Sequence, residues 1–353
     1  MTTPFAIAGR RIGPGEPVYV IAEISANHRQ DYEVATQLVR AAADAGADAV
    51  KLQTYTPDTI TIDSDAPSFR AGRGSLWEGS TLYELYQGAY TPWEWQPRLK
   101  ALADELGIPC FSSPFDPTAV DFLLGMDVPA FKIASFEVVD VGLIRKVAET
   151  GRPLIISTGM ATVEEVDEAV ATARDAGAAE IALLKASSAY PAPPESMNLR
   201  AIPLMAERYG VPIGLSDHTL GSAAAVAAVS LGACIVEKHL MASHDDITAD
   251  MAFSLDPTEF REMVEAIRFT ERALGRAVLE PTEEEQESRR FRRSLFVVED
   301  IGAGEPFTER NVRSIRPADG LHTREYGAVL GRRAARSITR GTPLSWDLIA
   351  PED

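Results

Sequence analysis

The sequence has few cysteines, no long apolar run and a deficit of positive charge. Cys110 and Cys234 are its two cysteines, so a disulfide framework is excluded and a reducing, cytoplasmic location is expected. A membrane span would need about 18 consecutive apolar residues, and none occurs. The amino terminus also lacks the apolar core of a signal peptide, which is roughly 7–15 residues long. Neither membrane insertion nor secretion is therefore expected.

Basic residues are scarce relative to acidic ones. The 34 Lys and Arg residues face 52 Asp and Glu residues, which gives a formal net charge of −18. Such a charge disfavours non-specific binding to nucleic acid or to an anionic membrane. The deficit is uneven, because residues 288–353 carry 12 Arg, no Lys and 9 acidic residues. Residues 1–287 carry 22 basic and 43 acidic residues, so the carboxyl-terminal stretch is distinct in composition.

Short apolar runs alternate with helical patterns over most of the chain. Nearly continuous runs of this kind are typical of parallel strands that are buried on both faces. The eight runs lie at 18–24, 48–54, 108–113, 130–135, 153–159, 180–186, 211–217 and 234–239. Helical segments between them, such as 31–45 and 162–176, are followed by glycines. The pattern predicts a (β/α)8 TIM barrel, with a doubly wound open sheet as the alternative.

The length leaves room for a second domain after such a barrel. A barrel takes about 250 residues, and the chain has 353. We predict a catalytic barrel over 1–280, a linker over 281–293 and a small α+β domain over 294–353. The loop 55–91 is long and rich in aromatic residues, which favours a functional loop with short helices over the barrel mouth.

Polar side chains are concentrated at the carboxyl ends of the strands, where barrel enzymes carry their chemistry. Lys51 and Lys132 lie in apolar strands, in which an unpaired ammonium group is costly. Five strand ends carry the serines Ser113, Ser135, Ser157, Ser188 and Ser216. A single serine is often only a helix cap, and a single lysine is often part of a core ion pair. Together they indicate a site for a phosphate or carboxylate group.

Two histidines and two acids share this rim. His218 and His239 end adjacent strands, and such a pair suits a divalent metal ion that remains open to a substrate oxygen. Glu23 is either a general base or the partner of a core lysine. Asp250 follows His239 in the chain and is available to bind substrate hydroxyls.

Eight stretches of the chain resemble, in order, motifs of the sialic acid synthase family. They are AEISANH, GADAVKLQTYTPDTIT, FSSPFD, FKIASFE, ISTGM, SSAYPAP, GLSDHT and VEKHL. The resemblance implies condensation of phosphoenolpyruvate with an acetamido sugar to give a nine-carbon α-keto acid. It extends over the whole chain, because 294–353 resembles the family's antifreeze-like (SAF) domain.

The aromatic insert refines this resemblance. LWEGSTLYELYQGAYTPWEW is most similar to the insert of pseudaminic acid synthases. The implied sugar is 2,4-diacetamido-2,4,6-trideoxy-L-altrose, and the same chemistry giving legionaminic or N-acetylneuraminic acid is the alternative. A barrel aldolase that forms a Schiff base and a non-enzymatic carbohydrate- or ice-binding protein are the remaining hypotheses.

The resemblance also implies a role for each polar strand-end residue. Glu23 would position or deprotonate the attacking water, and His218 and His239 would bind Mn or Mg. Phosphoenolpyruvate would be held by Lys51, Ser113, Lys132, Ser135, Ser157, Ser188 and Ser216. The sugar would be contacted by Gln53, Glu137, Tyr190, Asp250 and Arg316. Arg316, in IRPADG, would come from the partner subunit of a domain-swapped homodimer.

Overall fold

The computed structural model describes residues 5–72 and 77–351. Contacts divide the chain into two compact units, Met1–Gly275 and Arg276–Asp353. Within the described residues, no helix is both long and apolar enough to cross a membrane.

A short hairpin precedes the barrel. β1 (Phe5–Ile7) pairs antiparallel with β2 (Arg10–Ile12). The side chains of Phe5, Ile7 and Ile12 are buried in one apolar cluster with the first residues of several barrel strands. The hairpin therefore closes the amino-terminal end of the barrel. The sequence does not predict this hairpin, because each of its strands has only three residues and shows no detectable periodicity.

Eight parallel strands form a closed barrel in the described part of the first unit. They are β3 (Tyr19–Glu23), β4 (Ala49–Thr54), β5 (Cys110–Pro114), β6 (Phe131–Ile133), β7 (Leu154–Ser157), β8 (Ile181–Ala186), β9 (Ile213–Asp217) and β10 (Ile235–His239). β10 pairs with β3, so the sheet closes on itself. The predicted barrel is confirmed, and the doubly wound open sheet is wrong.

Helices follow the strands and pack around the barrel. They are α1 (Tyr32–Asp44), α2 (Pro57–Ile60), α3 (Leu82–Ala89), α4 (Gln96–Glu105), α5 (Pro117–Gly125), α6 (Val141–Ala148), α7 (Val163–Asp175), α8 (Ala201–Tyr209), α9 (Ala223–Ser230) and α10 (Pro257–Leu274). The Thr162 hydroxyl and the Glu165 carboxylate form a capping box at the start of α7, within the segment predicted as a helix.

The long loop after β4 carries helices, as predicted. α2 and α3 lie in it, and so does the 3-10 turn Pro67–Phe69. Thr81 and Glu84 form a capping box that begins α3. The 3-10 turn Trp93–Trp95 comes directly before α4.

The second unit has its own sheet and core. α11 (Glu283–Ser288) lies in the stretch predicted as a linker and is followed by β11 (Ser294–Val297), β12 (Val312–Ile315) and α12 (Tyr326–Val329). β11 and β12 pair antiparallel. The buried side chains of Leu295 and Phe307 belong to an apolar cluster confined to this unit.

Candidate active site

A cavity of about 340 Å³ opens at the carboxyl ends of the barrel strands. Most of the predicted site residues line it, namely Glu23, Lys51, Gln53, Ser113, Ser135, Glu137, Tyr190, Ser216, His218, His239 and Asp250. Lys132, Ser157 and Ser188 belong to the same barrel unit, whereas Arg316 is exposed in the second unit.

Two lysines and two glutamates form a buried cluster, which we call the floor, and each of the four side chains is at most 4% exposed. Glu23, Lys51 and Glu237 line the cavity, and Lys132 contacts Glu237. Lys51 forms an ion pair with Glu23 and donates a hydrogen bond to Ser113 Oγ at 3.2 Å. Lys51 Nζ also lies 3.8 Å from Glu237 Oε1, and Lys132 Nζ lies 3.5 Å from the same oxygen. Each positive side chain thus lies next to a negative one, in a site with almost no access to water.

In the floor, burial and neighbouring opposite charges shift the pKa of each group in opposite directions. Burial raises the pKa of Glu23 to about 7, although Lys51 acts in the opposite direction. Burial lowers the pKa of Lys132 to about 8, despite the nearby Glu237 carboxylate. Burial alone would raise the pKa of Glu237, but Lys132 and Lys51 hold it below its ordinary value. Because both ammonium groups already face carboxylates, an incoming anion must compete with those carboxylates.

Serine hydroxyls surround Gly159 beside the floor. Ser135 Oγ accepts a hydrogen bond from the Gly159 amide at 3.2 Å. Ser157 Oγ is buried and has no hydrogen-bond partner among the described residues. A Cβ atom at position 159 would collide with Ser188 Oγ and lie 2.8 Å from Ser135 Oγ, so glycine keeps this space open. A buried hydroxyl without a partner has a proton to donate, which suits an anion.

The two histidines form a neutral pair with defined tautomers. Their rings lie 5.4 Å apart between centroids, and burial lowers the pKa of both. His218 Nδ1 lies 2.8 Å from the Ser187 carbonyl, which can only accept, so this nitrogen carries the proton. Ser25 gives its hydroxyl proton to Asp250, so His239 Nδ1 must donate to Ser25 Oγ, 3.1 Å away. Each Nε2 is left unprotonated, which fits a divalent metal ion.

A second group of candidate metal ligands lies outside the cavity. His244, Asp256 and Glu259 are the one such group of three in the described part of the chain, with ligand atoms within 4.8 Å of one another. Glu259 accepts from His244 at 2.7 Å and from the Asp256 amide at 3.0 Å. Asp256 accepts in turn from amides of the first turn of α10. These groups are already engaged in capping a helix.

Apolar side chains line the outer part of the cavity. α2 and α3 contribute Ile60, Leu85 and Tyr86, which we call the outer wall. Tyr55 lies beside it, with its ring edge-to-face against Tyr86 at 5.7 Å and Phe115 at 5.1 Å between centroids. Packing of this kind holds the outer wall in place.

Two predicted sugar contacts lie near these aromatic groups. The Tyr190 ring packs 4.6 Å from His218 and 6.0 Å from Trp77 between centroids. Burial raises the pKa of Glu137 to about 7, and its Oε2 atom is buried with no hydrogen-bond partner among the described residues. Glu137 therefore has an oxygen available to a ligand.

Buried hydrogen bonds anchor the end of the insert. Gln96 Oε1 accepts from the Thr54 hydroxyl at 2.7 Å, and Gln96 Nε2 donates to the carbonyls of Gln53 and Thr91, both at 3.3 Å. His28 Nε2 lies 3.1 Å from Thr91 Oγ1. The segment that follows α3 is thus tied to two strand ends of the barrel.

Glu237 is the main residue of the site that was not predicted from the sequence. Glu237 and His239 line the cavity, whereas Lys238 between them pairs with Asp217 at 3.0 Å. Ser216 Oγ donates to Glu237 at 3.2 Å, so one hydroxyl expected for the anion contacts this carboxylate instead. The two-residue period of a strand would have identified Glu237, because it shares a face with His239.

Two family models match the chain. The NeuB family model matches residues 38–278, which include the barrel strands from β4 onward. The SAF domain model matches residues 292–350, which lie in the second unit.

The chain is also similar to individual proteins of known name. A pseudaminic acid synthase of Campylobacter jejuni is 44% identical over 93% of this chain and 95% of its own length. An N,N'-diacetyllegionaminic acid synthase of Legionella pneumophila is 34% identical over 96% of each chain. The crystal structure of an N-acetylneuraminic acid synthetase from Leptospira borgpetersenii superposes with a TM-score of 0.73 at 29% identity. It covers 82% of this chain and 95% of its own.

Proposed function

The chain belongs to the NeuB family, and from this premise we propose that it is a pseudaminic acid synthase. It condenses phosphoenolpyruvate with 2,4-diacetamido-2,4,6-trideoxy-L-altrose and releases phosphate. The observation that carries this function is one cavity that joins an anion site, a neutral histidine pair and an apolar wall. The 44% identity to a pseudaminic acid synthase favours this sugar over the legionaminic acid precursor, whose synthase is 34% identical.

The floor and the serines at the strand ends bind phosphoenolpyruvate. Lys51 and Lys132 offset its negative charge, while the Ser135 and Ser157 hydroxyls supply hydrogen-bond donors, and the Gly159 amide, which donates to Ser135 Oγ, orients that hydroxyl. Ser113, Ser188 and Ser216 complete the set of hydroxyls, with Ser216 turning its proton from Glu237 to the bound anion. The acidic protein surface gives no attraction for this anion, so its affinity depends on these local groups.

His218 and His239 would hold a divalent ion, Mn or Mg, through their Nε2 atoms. When bound, this ion would act as a Lewis acid toward the aldehyde oxygen of the open-chain sugar. The protein's own contribution is to fix both rings, through the Ser187 carbonyl and through Ser25 with Asp250. Asp250 is then well placed to contact sugar hydroxyls, with Gln53, Glu137 and Tyr190 around the same cavity.

The bond changes assign a role to Glu23. C3 of phosphoenolpyruvate forms a bond to C1 of the aldehyde, whose oxygen takes up a proton from solvent to become a hydroxyl, and the cation left at C2 is captured by water. Glu23 orients this water and takes one of its protons. The bond between C2 and the phosphate oxygen then breaks as the second proton leaves and the C2 carbonyl forms. The Lys51 ammonium group and the Ser25 amide, which donates to Glu23 Oε1 at 2.9 Å, hold the carboxylate in position.

We extend the proposal to the assembly. The enzyme acts in the cytoplasm as a domain-swapped homodimer, in which Arg316 of one protomer contacts the sugar bound in its partner's barrel. Support comes from the exposure of Arg316 and from the arginine-rich composition of residues 288–353 beside a strongly acidic barrel sequence.

The test is an assay of phosphate release from phosphoenolpyruvate by the purified protein. We expect release with the altrose sugar and little with N-acetylmannosamine or the legionaminic acid precursor. A chelator should abolish release, and added Mn should restore it. Turnover of N-acetylmannosamine without turnover of the altrose sugar would contradict the proposal.

A further inference from the structure

We propose that the outer wall is the subsite that selects a sugar with a methyl group at its far end. The inference rests on the proposed function, because it concerns the sugar that the barrel condenses with phosphoenolpyruvate. It assigns the selection of a 6-deoxy sugar to α2 and α3, and within them to Ile60 and Leu85.

The cavity changes in chemical character from its floor to its outer wall. At the floor, Glu23 and Lys51 are charged and almost completely buried. At the outer wall, Ile60 and Leu85 are partly exposed, and their side chains have no hydrogen-bonding atom. α2 packs against α3, so these two side chains belong to one continuous surface. A ligand that fills the cavity must therefore be polar at one end and apolar at the other.

α3 turns its apolar face toward the cavity. Leu85 and Ala89 are four residues apart, so they share one helix face, and both line the cavity. Glu84 and Gln87 are exposed. Of the eight residues of α3, Ala89 alone is fully buried. The protein itself buries little of this apolar face, because the face borders the open cavity. This indicates that an apolar part of the ligand covers it.

The chemistry fixes which end of the sugar reaches this wall. The aldehyde carbon C1 must meet phosphoenolpyruvate at the floor, next to His218 and His239. C6 is at the opposite end of the six-carbon chain, so it extends away from the floor toward the outer wall. A methyl group there buries apolar area against Leu85. A hydroxymethyl group would lose water without gaining a hydrogen bond from Ile60 or Leu85.

The test compares two sugars of the same configuration, the 6-deoxy altrose derivative and its 6-hydroxy analogue. The wild-type protein should prefer the 6-deoxy sugar by about 100-fold in kcat/KM, the discrimination typical of an apolar pocket. Leu85→Gln keeps a good helix former but places an amide in the subsite. It should reduce the preference to about 10-fold or less, while KM for phosphoenolpyruvate stays unchanged.

Leu82→Gln is the matched control, because it makes the same change on the same helix at a residue that does not line the cavity. It should keep the wild-type preference. Ile60→Thr is the second variant if thermal unfolding shows that Leu85→Gln does not fold. Equal use of both sugars by the wild type, or equal effects of the two Gln variants, would overturn the inference but not the synthase activity. Absence of phosphate release with either sugar would instead overturn the proposed function.

Discussion

At the scale of single residues, the site depends on buried groups held in energetically costly states. The floor holds two ammonium and two carboxylate groups with almost no access to water. Removing one member would leave an uncompensated buried charge, a change that typically costs about 3–5 kcal/mol. This explains why Glu237, which contacts both lysines, matters to the site even though it has no assigned step in the reaction.

Glu137 gives a prediction for stability against pH. Its pKa rises from an ordinary 4.5 to about 7 because of burial. The folded state therefore retains a proton that the unfolded chain loses, and stability falls as pH rises from 4.5 to 7. Glu137→Gln should remove this loss, about 3 kcal/mol. Thermal unfolding of wild type and variant at several pH values measures it.

The control for this prediction is Glu164→Gln, which removes an exposed acid on α7. Its unfolding temperature should follow that of the wild type at every pH. The Glu137→Gln variant should gain stability relative to the wild type between pH 4.5 and 8, and sugar turnover should decrease because a contact is lost. A difference in unfolding temperature that does not change with pH would contradict the burial argument.

At the scale of elements, the insert between β4 and α4 supplies the outer wall of the cavity. Gln96 is completely buried and connects the end of this insert to the strand end at Thr54. Gln96→Ala would leave the Thr91 carbonyl without this donor and should destabilise the protein by about 1–3 kcal/mol. KM for the sugar should rise, whereas KM for phosphoenolpyruvate should stay close to that of the wild type.

Gln87→Ala, at an exposed position of α3, is the control for Gln96→Ala. It should change neither the stability nor either KM by a measurable amount. If Gln96→Ala raised both KM values equally, the role of Gln96 in positioning the insert would be refuted, because a general loosening of the barrel would explain the result.

The elements also show what could be predicted from the sequence. The barrel strands could be predicted because each is a buried apolar run, as in β7. The candidate site residues of the barrel could then be located from their positions at or after the carboxyl ends of these strands. The position of α2 within the loop could not be predicted, since four residues carry no helical period. The pairing of Lys132 with Glu237 joins residues 105 apart, so no local pattern reports it.

At the scale of the whole molecule, the proposed exchange of Arg316 between protomers predicts complementation. Arg316→Ala and Glu23→Gln should each be nearly inactive alone. When the two variants are mixed and allowed to exchange subunits, half of the dimers are mixed and carry one intact site. About a quarter of wild-type activity should then return. Phosphate release measures this, and light scattering checks that each variant remains dimeric.

Recovery of no activity, with subunit exchange demonstrated by tagged chains, would show that Arg316 does not serve the partner's site. Mixing Glu23→Gln with His218→Ala is the control, because both changes lie in the barrel unit. In that mixture every barrel is defective, so no activity should return.

The hairpin at the amino-terminal end of the barrel also has a consequence for the order of events. Phe5, Ile7 and Ile12 seal that end with buried side chains, so molecules must enter and leave at the strand ends. The anion site is then the innermost position, and a sugar seated against the outer wall lies between it and the solvent. Under the proposed function, phosphoenolpyruvate is therefore expected to bind before the sugar, and inorganic phosphate is expected to leave after the nine-carbon product.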